Sequence, residues 1–314
     1  MLPLVSVILP VYNQEKHLEE AIESILNQSF RDFELIILDD GSTDGSAQIV
    51  RQFAAKDIRI QAYFEVNSGK SLATNELVIN RARGEWCAFL DADDVMLPQR
   101  LERQVAFHKA NPEVDASSSY CYYINEKGNM FGTQRYPGLS TVAEYQQSIA
   151  NEEFIACSYT GLMVSRKAFI ETGGLRTKFE PCEDFEFLNR LAEKGFILLV
   201  IPEVLMKYRI HASSITVRKP ILVLDTISYV KQCIALRRSG KPEISFKEFV
   251  TIREGYSWWT KFNRKRFNYS MIFFRSAGFA ILSKRYLAFV WQVATSLVLS
   301  PNYVLKKLGN HLKK

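Results

Sequence analysis

The chain begins with a short apolar, β-branched run, Leu4 to Leu9, ended by Pro10. A run with little alternation fits a strand buried on both faces. From Glu15 to Gln28 the period changes, and Leu18, Ala21, Ile22, Ile25 and Leu26 recur at helical spacing. The alternation then repeats. Phe33 to Leu38, Ile58 to Phe64 and Trp86 to Leu90 read as strands, with helices over Ala47 to Ala55 and Leu72 to Ala82 between them. Strands alternating with helices of this length predict a doubly wound α/β sheet. Ligands of such sheets bind at the carboxyl ends of the strands.

A further helix runs from about Leu97-Pro98 to Ala110, closed by Asn111-Pro112. The middle third is mixed. Ala116 to Ile124, Phe154 to Val164 and Phe196 to Ile201 read as strands, the last ended by Pro202. Arg166 to Glu171 reads as a helix capped by Gly173-Gly174, and Asp184 to Lys194 as one ended by Gly195. Near Arg218-Lys219-Pro220 the composition changes, and the pattern beyond is helical, basic and aromatic. The expected organisation is a domain over 1–218, with halves 1–110 and 111–218, and a helical region over 219–314.

Composition adds bounds. With 314 residues, 47% hydrophobic and 24% charged, the chain can bury a core, which argues against disorder. The cysteines, Cys87, Cys121, Cys157, Cys182 and Cys233, are odd in number and include no CxxC pair. That argues against a disulfide framework or zinc site and favours a reducing compartment. Met1-Leu2-Pro3-Leu4 carries no basic segment of a secretory signal, so a cytoplasmic location is expected. The net charge of +6 is uneven: residues 251–314 hold twelve Lys or Arg and one acid, Glu254. Such a basic surface suits an anionic partner, membrane or nucleic acid. No nucleic-acid recognition motif accompanies it, so none is expected.

Candidate chemistry gathers at predicted strand ends. Asp91-Ala92-Asp93-Asp94 puts three carboxylates within four residues. Mg²⁺ or Mn²⁺ would relieve their repulsion and could share them with substrate phosphates. The ordinary alternative is a helix N-terminus, with Asp94 as cap. Asp39-Asp40-Gly41-Ser42 ends the second strand, where an acid can accept hydrogen bonds from a base or ribose, or simply cap a turn. In Pro10-Val11-Tyr12-Asn13, Tyr12 could stack on a nucleobase or be a loop aromatic. Glu183-Asp184 opens a helix, as a cap or as a base for an acceptor hydroxyl. His211, in Tyr208-Arg209-Ile210-His211, and Lys70, after Gly69, are more often structural when met alone.

Taken together and in this order, these elements resemble the family 2 glycosyltransferases. The likeness is carried by Val5-Ser6-Val7-Ile8-Leu9-Pro10-Val11-Tyr12-Asn13, Ser24-Ile25-Leu26-Asn27-Gln28-Ser29-Phe30 and Phe33 to Asp44. It continues through Phe89-Leu90-Asp91-Ala92-Asp93-Asp94, Gly173-Gly174-Leu175, Glu183-Asp184 and Tyr208-Arg209-Ile210-His211, and covers roughly residues 4 to 215. The resemblance implies the GT-A fold, a doubly wound mixed sheet, here with a C-terminal helical extension. It implies inverting transfer of a sugar from a nucleoside-diphosphate-sugar, UDP favoured, to a hydroxyl of a saccharide or lipid-linked acceptor. By position, Pro10, Tyr12 and Asp39 would line the nucleobase pocket. Asp91 and Asp93 match the Asp-x-Asp motif for ribose and for Mn²⁺ or Mg²⁺, with Ala92 beside the nucleotide. Asp184 would be the general base, and His211 would help hold metal or diphosphate. Asp94 could share the ribose and metal task, and the roles of Glu183, Asp94 and Arg209, at the acceptor or elsewhere, stay open. Many members carry Arg-Asn after the third strand; here the pair is Thr74-Asn75, with Lys70 as the expected substitute, which leaves the donor open. Many bacterial relatives build cell-surface polysaccharides.

Two other readings compete. A nucleotidyltransferase predicts a glycine-rich basic loop after the first strand, and Pro10-Val11-Tyr12-Asn13 has none. A non-catalytic sugar-nucleotide binding protein predicts loss of the metal acids or the base, and both are present. In the C-terminal region, Tyr286 to Ser300 is a run of 15 residues without a charge, flanked by Lys284-Arg285 and Lys306-Lys307. It is shorter than the about 20 residues a membrane span needs. An interfacial helix at the inner face of the membrane is expected. The alternative is a subdomain packed on the core or on a second copy in a homo-oligomer.

Overall fold

Strand β1 (Val5–Val11) shows how the sequence pattern divides the core. Alternate side chains of a strand point to opposite faces. Val5, Val7, Leu9 and Val11 join one buried cluster with Leu18, Ile22 and Ile25 of helix α1 (Leu18–Leu26). Ile8 points the other way, into a second cluster with Ala73, Leu77 and Phe89. The first strand is therefore apolar on both sides. Its one buried hydroxyl, Ser6, donates to Glu34 at 2.6 Å and accepts from the Gly84 amide at 2.9 Å.

In a computed structural model, which describes residues 2–136, 139–211 and 214–312, the chain forms two compact units, Met1–His211 and Ala212–Lys314. The first continues with β2 (Phe33–Asp40), α2 (Ser46–Ala54), β3 (Ile60–Glu65), α3 (Lys70–Glu76) and β4 (Trp86–Phe89). Helix α3 widens into a π turn over Leu77–Arg81. Then come β5 (Val95–Met96), α4 (Arg100–Ala110), β6 (Ala116–Ile124), β7 (Met130–Gln134) and α5 (Val142–Ala150). Strand β8 (Met163–Ser165), α6 (Arg166–Thr172), α7 (Glu183–Glu193) and β9 (Leu198–Arg209) complete it. The described residues build one mixed nine-stranded sheet in the order β3-β2-β1-β4-β8-β6-β9-β5, with β7 on β6. Strands β3, β2, β1 and β4 are mutually parallel, and β8 is antiparallel to β4. The chain reverses its lateral progression between β1 and β4, so the ligand crevice belongs at their carboxyl ends. This is the GT-A type of mixed sheet expected from the sequence.

Two expectations are corrected. Phe154 to Val164 is not one strand; only Met163–Ser165 pairs. Side chains replace the ladder there: Asn189 bonds both the amide and the carbonyl of Ile155, and Ser118 donates to the Ser158 carbonyl. With those groups satisfied, the segment is free to bend. The strand after Phe196 does not stop at Pro202 but runs on to Arg209. Ser119 faces Ile201 and Tyr120 faces Val204, so Pro202 and Glu203 bulge out of the ladder, a place where proline is tolerated.

The second unit, as described, is helical: α8 (Ile215–Arg218), α9 (Pro220–Arg238), α10 (Phe246–Glu254), α11 (Trp258–Leu282), α12 (Tyr286–Leu299) and α13 (Pro301–Leu312). Tyr229, Val230, Cys233, Ile234 and Phe249 are buried in it. Ser245 and Glu248 form a reciprocal capping box at the start of α10. The change of composition at Arg218-Lys219-Pro220 falls between α8 and α9, inside this unit.

Candidate active site

The loops after β1 and β2 are laced together. The Asn13 amide donates to the Ser42 hydroxyl, the Thr43 amide to the Asn13 side chain, the Gln14 amide to Ser46, and the Gly45 amide to Glu15. Pro10 is half-buried and Tyr12 about half exposed at the mouth of this pair of loops. Asp39 is buried at the end of β2. Its Oδ1 accepts from the Ser42 amide at 2.8 Å, and its Oδ2 has no partner among the described residues. A buried carboxylate oxygen left unpaired is costly, and a ligand N–H would satisfy it. Asp40, the next residue, has a structural task. Its carboxylate accepts from the Ser68 and Gly69 amides at 2.8 and 2.9 Å and so fixes the loop that starts α3. Gly69 (φ 95°) takes a conformation that other residues rarely adopt, and this presents Lys70.

At the end of β4 the acids divide. Asp91 pairs with the Lys70 ammonium at 2.6 Å. Burial works against the Lys70 charge, but Asp91, Glu183 and Tyr159 outweigh it and hold its pKa well above the ordinary value. Ala92 is buried in the core. Asp93 meets His211, Oδ2 to Nε2, at 2.8 Å. Burial raises the Asp93 pKa, yet His211 and Lys70 together bring it below the usual carboxylate value. The two residues meet because β5, directly after the acids, pairs antiparallel with β9: Val95 faces Lys207 and Met96 faces Met206.

Asp94 is not a helix cap. Helix α4 starts only at Arg100, with Gln99 in the cap position. Asp94 is buried and accepts from the Arg209 amide at 2.7 Å. Its pKa is raised well above the ordinary value by burial and by repulsion from Asp93 and Asp91. Arg209 is no acceptor contact either, because its side chain is only 1% exposed. It donates to the carbonyls of Asp93 (2.7 Å), Asn125 (3.1 Å) and Glu126 (3.2 Å) and pairs with Glu20 at 2.5 Å. It bolts the acidic turn to two neighbouring segments.

Sequence reasoning missed several supports. Arg100 is fully buried and donates to the carbonyls of Phe89 and Leu162 at 3.0 and 3.1 Å, which fixes the end of β4 against the bent segment before β8. Burial lowers its pKa to about 9. Thr160 accepts from the Asp91 amide at 3.3 Å. Tyr159 lies under Lys70, the ammonium 5.2 Å from the ring centroid. The His17 ring stands 5.5 Å from that of His211.

Helix α7 brings the last pair. Glu180, just before it, accepts from the Ser71 amide at 3.1 Å, so the starts of α3 and α7 are tied together. Asp184 is half-buried, whereas Glu183 is buried. Neither caps by side chain in the usual way, since Cys182 holds the cap position. Burial and repulsion from Asp91 raise the Asp184 pKa against the pull of Lys70 and the Phe185 amide. Burial and Asp184 raise that of Glu183 from 4.5 to about 7. Glu183 thus binds its proton more tightly folded than unfolded. The stability this gives is present below the unfolded pKa and is lost as pH rises through about 7. Glu183→Gln is therefore expected to raise stability by about 1–3 kcal/mol near pH 8 and by much less near pH 5, read by thermal melts. Equal effects at both pH values would contradict this.

The donor set can be tested against a divalent ion. Among the described residues no group of three or more His, Cys, Asp or Glu is gathered closely enough to hold a metal. Of the expected Asp91, Asp93 and His211, Asp91 pairs with Lys70, while Asp93 and His211 form a contacting pair. The pair fits. A carboxylate oxygen and an imidazole nitrogen 2.8 Å apart suit adjacent positions on Mn²⁺ or Mg²⁺, which take few protein ligands and fill the rest with phosphate and water.

Known proteins share the family and the fold. The family described as Glycosyl transferase family 2 matches residues 6–173. A Bacillus subtilis glycosyltransferase named for teichuronic acid biosynthesis, TuaG, is 32% identical over 218 residues, 69% of this chain and 83% of that protein. S. aureus TarS 1–349, solved in complex with UDP-GlcNAc, has a TM-score of 0.61 at 16% identity, covering 96% of this chain and 91% of that one. The mannosyltransferase PcManGT from Pyrobaculum calidifontis, solved with GDP-Man and Mn²⁺, has a TM-score of 0.53 at 20% identity, covering 99% and 81%.

Proposed function

Because this chain belongs to the family 2 glycosyltransferases, we propose that it moves a sugar, with inversion, from a nucleoside-diphosphate-sugar to a hydroxyl of a saccharide or lipid-linked acceptor. The observation that carries the reading is the half-buried Asp184 carboxylate, which shares the field of Lys70 and Asp91 at the carboxyl end of the parallel strands. Tyr12 and Pro10 flank the nucleobase, and the unpaired Asp39 Oδ2 accepts its N–H. Asp91 faces the ribose and Lys70 the diphosphate. Asp93 and His211 would hold Mn²⁺ or Mg²⁺, and a bound ion would supply positive charge to the diphosphate.

Asp184 removes the proton of the acceptor hydroxyl, its raised pKa making it a stronger base than an exposed aspartate. The oxygen then attacks the anomeric carbon opposite the departing diphosphate, whose growing charge Lys70 offsets. The C–O bond to the diphosphate breaks as the new one forms, so one displacement inverts the centre. UDP is the favoured nucleotide, as bound by TarS, although the distant PcManGT binds GDP-Man. A panel of nucleotide-sugars with Mn²⁺, scored by thermal shift and by donor hydrolysis, tests this. One donor class should stabilise the protein, UDP-sugars first. No response to any donor would overturn the reading.

A further inference from the structure

Helix α12 is turned inside out relative to a soluble helix. It contains no charged residue. The face it sets on α11 is partly polar: Ser270 and Ser296, both fully buried, donate reciprocally to each other's carbonyls at 2.9 and 2.8 Å. The opposite face is apolar and open to solvent. Leu287 is 90% exposed, Val298 80%, Val290 62%, Trp291 60% and Leu297 39%, with Ala294 exposed between them. At 3.6 residues per turn these six positions fall within an arc of about 120°. Exposed Lys284 and Arg285 stand just before the helix, and exposed Lys306 and Lys307 follow it on α13.

We propose that this stripe is an in-plane docking surface for an anionic lipid bilayer. Length argues for lying rather than spanning. Fourteen residues make about 21 Å of helix against about 30 Å of hydrocarbon. No helix among the described residues is long and apolar enough to cross a membrane. Charge selects the lipid over a second copy. Symmetric pairing of two stripes, parallel or antiparallel, brings the flanking cations of one copy against those of the other. From residue 251 onward Glu254 is the single acid available to relieve them. An anionic headgroup layer neutralises both ends while the acyl boundary takes Leu287, Trp291 and Val298.

The test uses the full chain and sedimentation with vesicles of phosphatidylcholine, with and without phosphatidylglycerol. Binding should require phosphatidylglycerol, weaken with salt, and fall at least about tenfold in Leu287→Glu with Val298→Glu. Both residues are exposed, so the double variant should melt as the wild type does and keep its donor response. Three outcomes would overturn the proposal: equal binding to both vesicle types, binding unaffected by the double substitution, or no vesicle binding together with a dimer in light scattering that the substitutions dissolve.

Discussion

Asp184→Asn is expected to lower kcat by about 10²–10⁴-fold while donor affinity stays within about twofold. Asparagine has the same shape, and its oxygen can still accept the Phe185 amide that Asp184 accepts at 2.6 Å. What it lacks is basicity. The pH profile separates the two. The base acts only when deprotonated, so wild-type kcat should fall as pH drops through the raised Asp184 pKa. The variant should lose that acid limb. If Glu183→Gln rather than Asp184→Asn removed the limb, the base would be Glu183. The exposure of the two residues argues against this, since Glu183 is 5% exposed and has little access to an acceptor.

Arg209→Met is expected to destabilise the first unit by about 2–4 kcal/mol, although the side chains have similar volume. Methionine leaves the carbonyls of Asp93, Asn125 and Glu126 without their donor and Glu20 without its partner. Each buried group left unpaired costs about 1–3 kcal/mol, and water can reach part of the turn. For a unit of this size the melting temperature should fall by about 5–15 °C. Arg209→Lys should rescue little, because one ammonium cannot reproduce the planar fork. A melt within about 1 °C of the wild type would contradict the role of Arg209 as a bolt.

The parallel half of the fold was legible because its signals are local. Runs buried on both faces mark β1, β2 and β4, and helical periods mark α1, α2 and α7. Even missed α5 carried a signature, Thr141 with Glu144 three residues on, and Thr141 does accept the Glu144 amide. Elsewhere the deciding partners are remote. Phe154 to Val164 has the composition of a strand, but Asn189 and Ser118 decide otherwise. Pro202 reads as a terminator and becomes a bulge because β6 pairs on both sides of it.

The site followed the same rule. Asp39, Asp93, His211 and Asp184 were named from motif order and lie in one region around the strand ends. Their roles depended on contacts that no short motif encodes. Asp94 pairs with a backbone amide 115 residues away, Arg209 turns inward, and Lys70 pairs with Asp91.

A single displacement assisted by Asp184 leaves its mark in the configuration of the first product. With an α-linked nucleotide-sugar from the responding class and no acceptor, water takes the acceptor's place. NMR followed from the start of hydrolysis should show the β-anomer first, mutarotation later, and a much slower release in Asp184→Asn. The α-anomer appearing first, or a rate unchanged in Asp184→Asn, would rule out a single displacement assisted by Asp184.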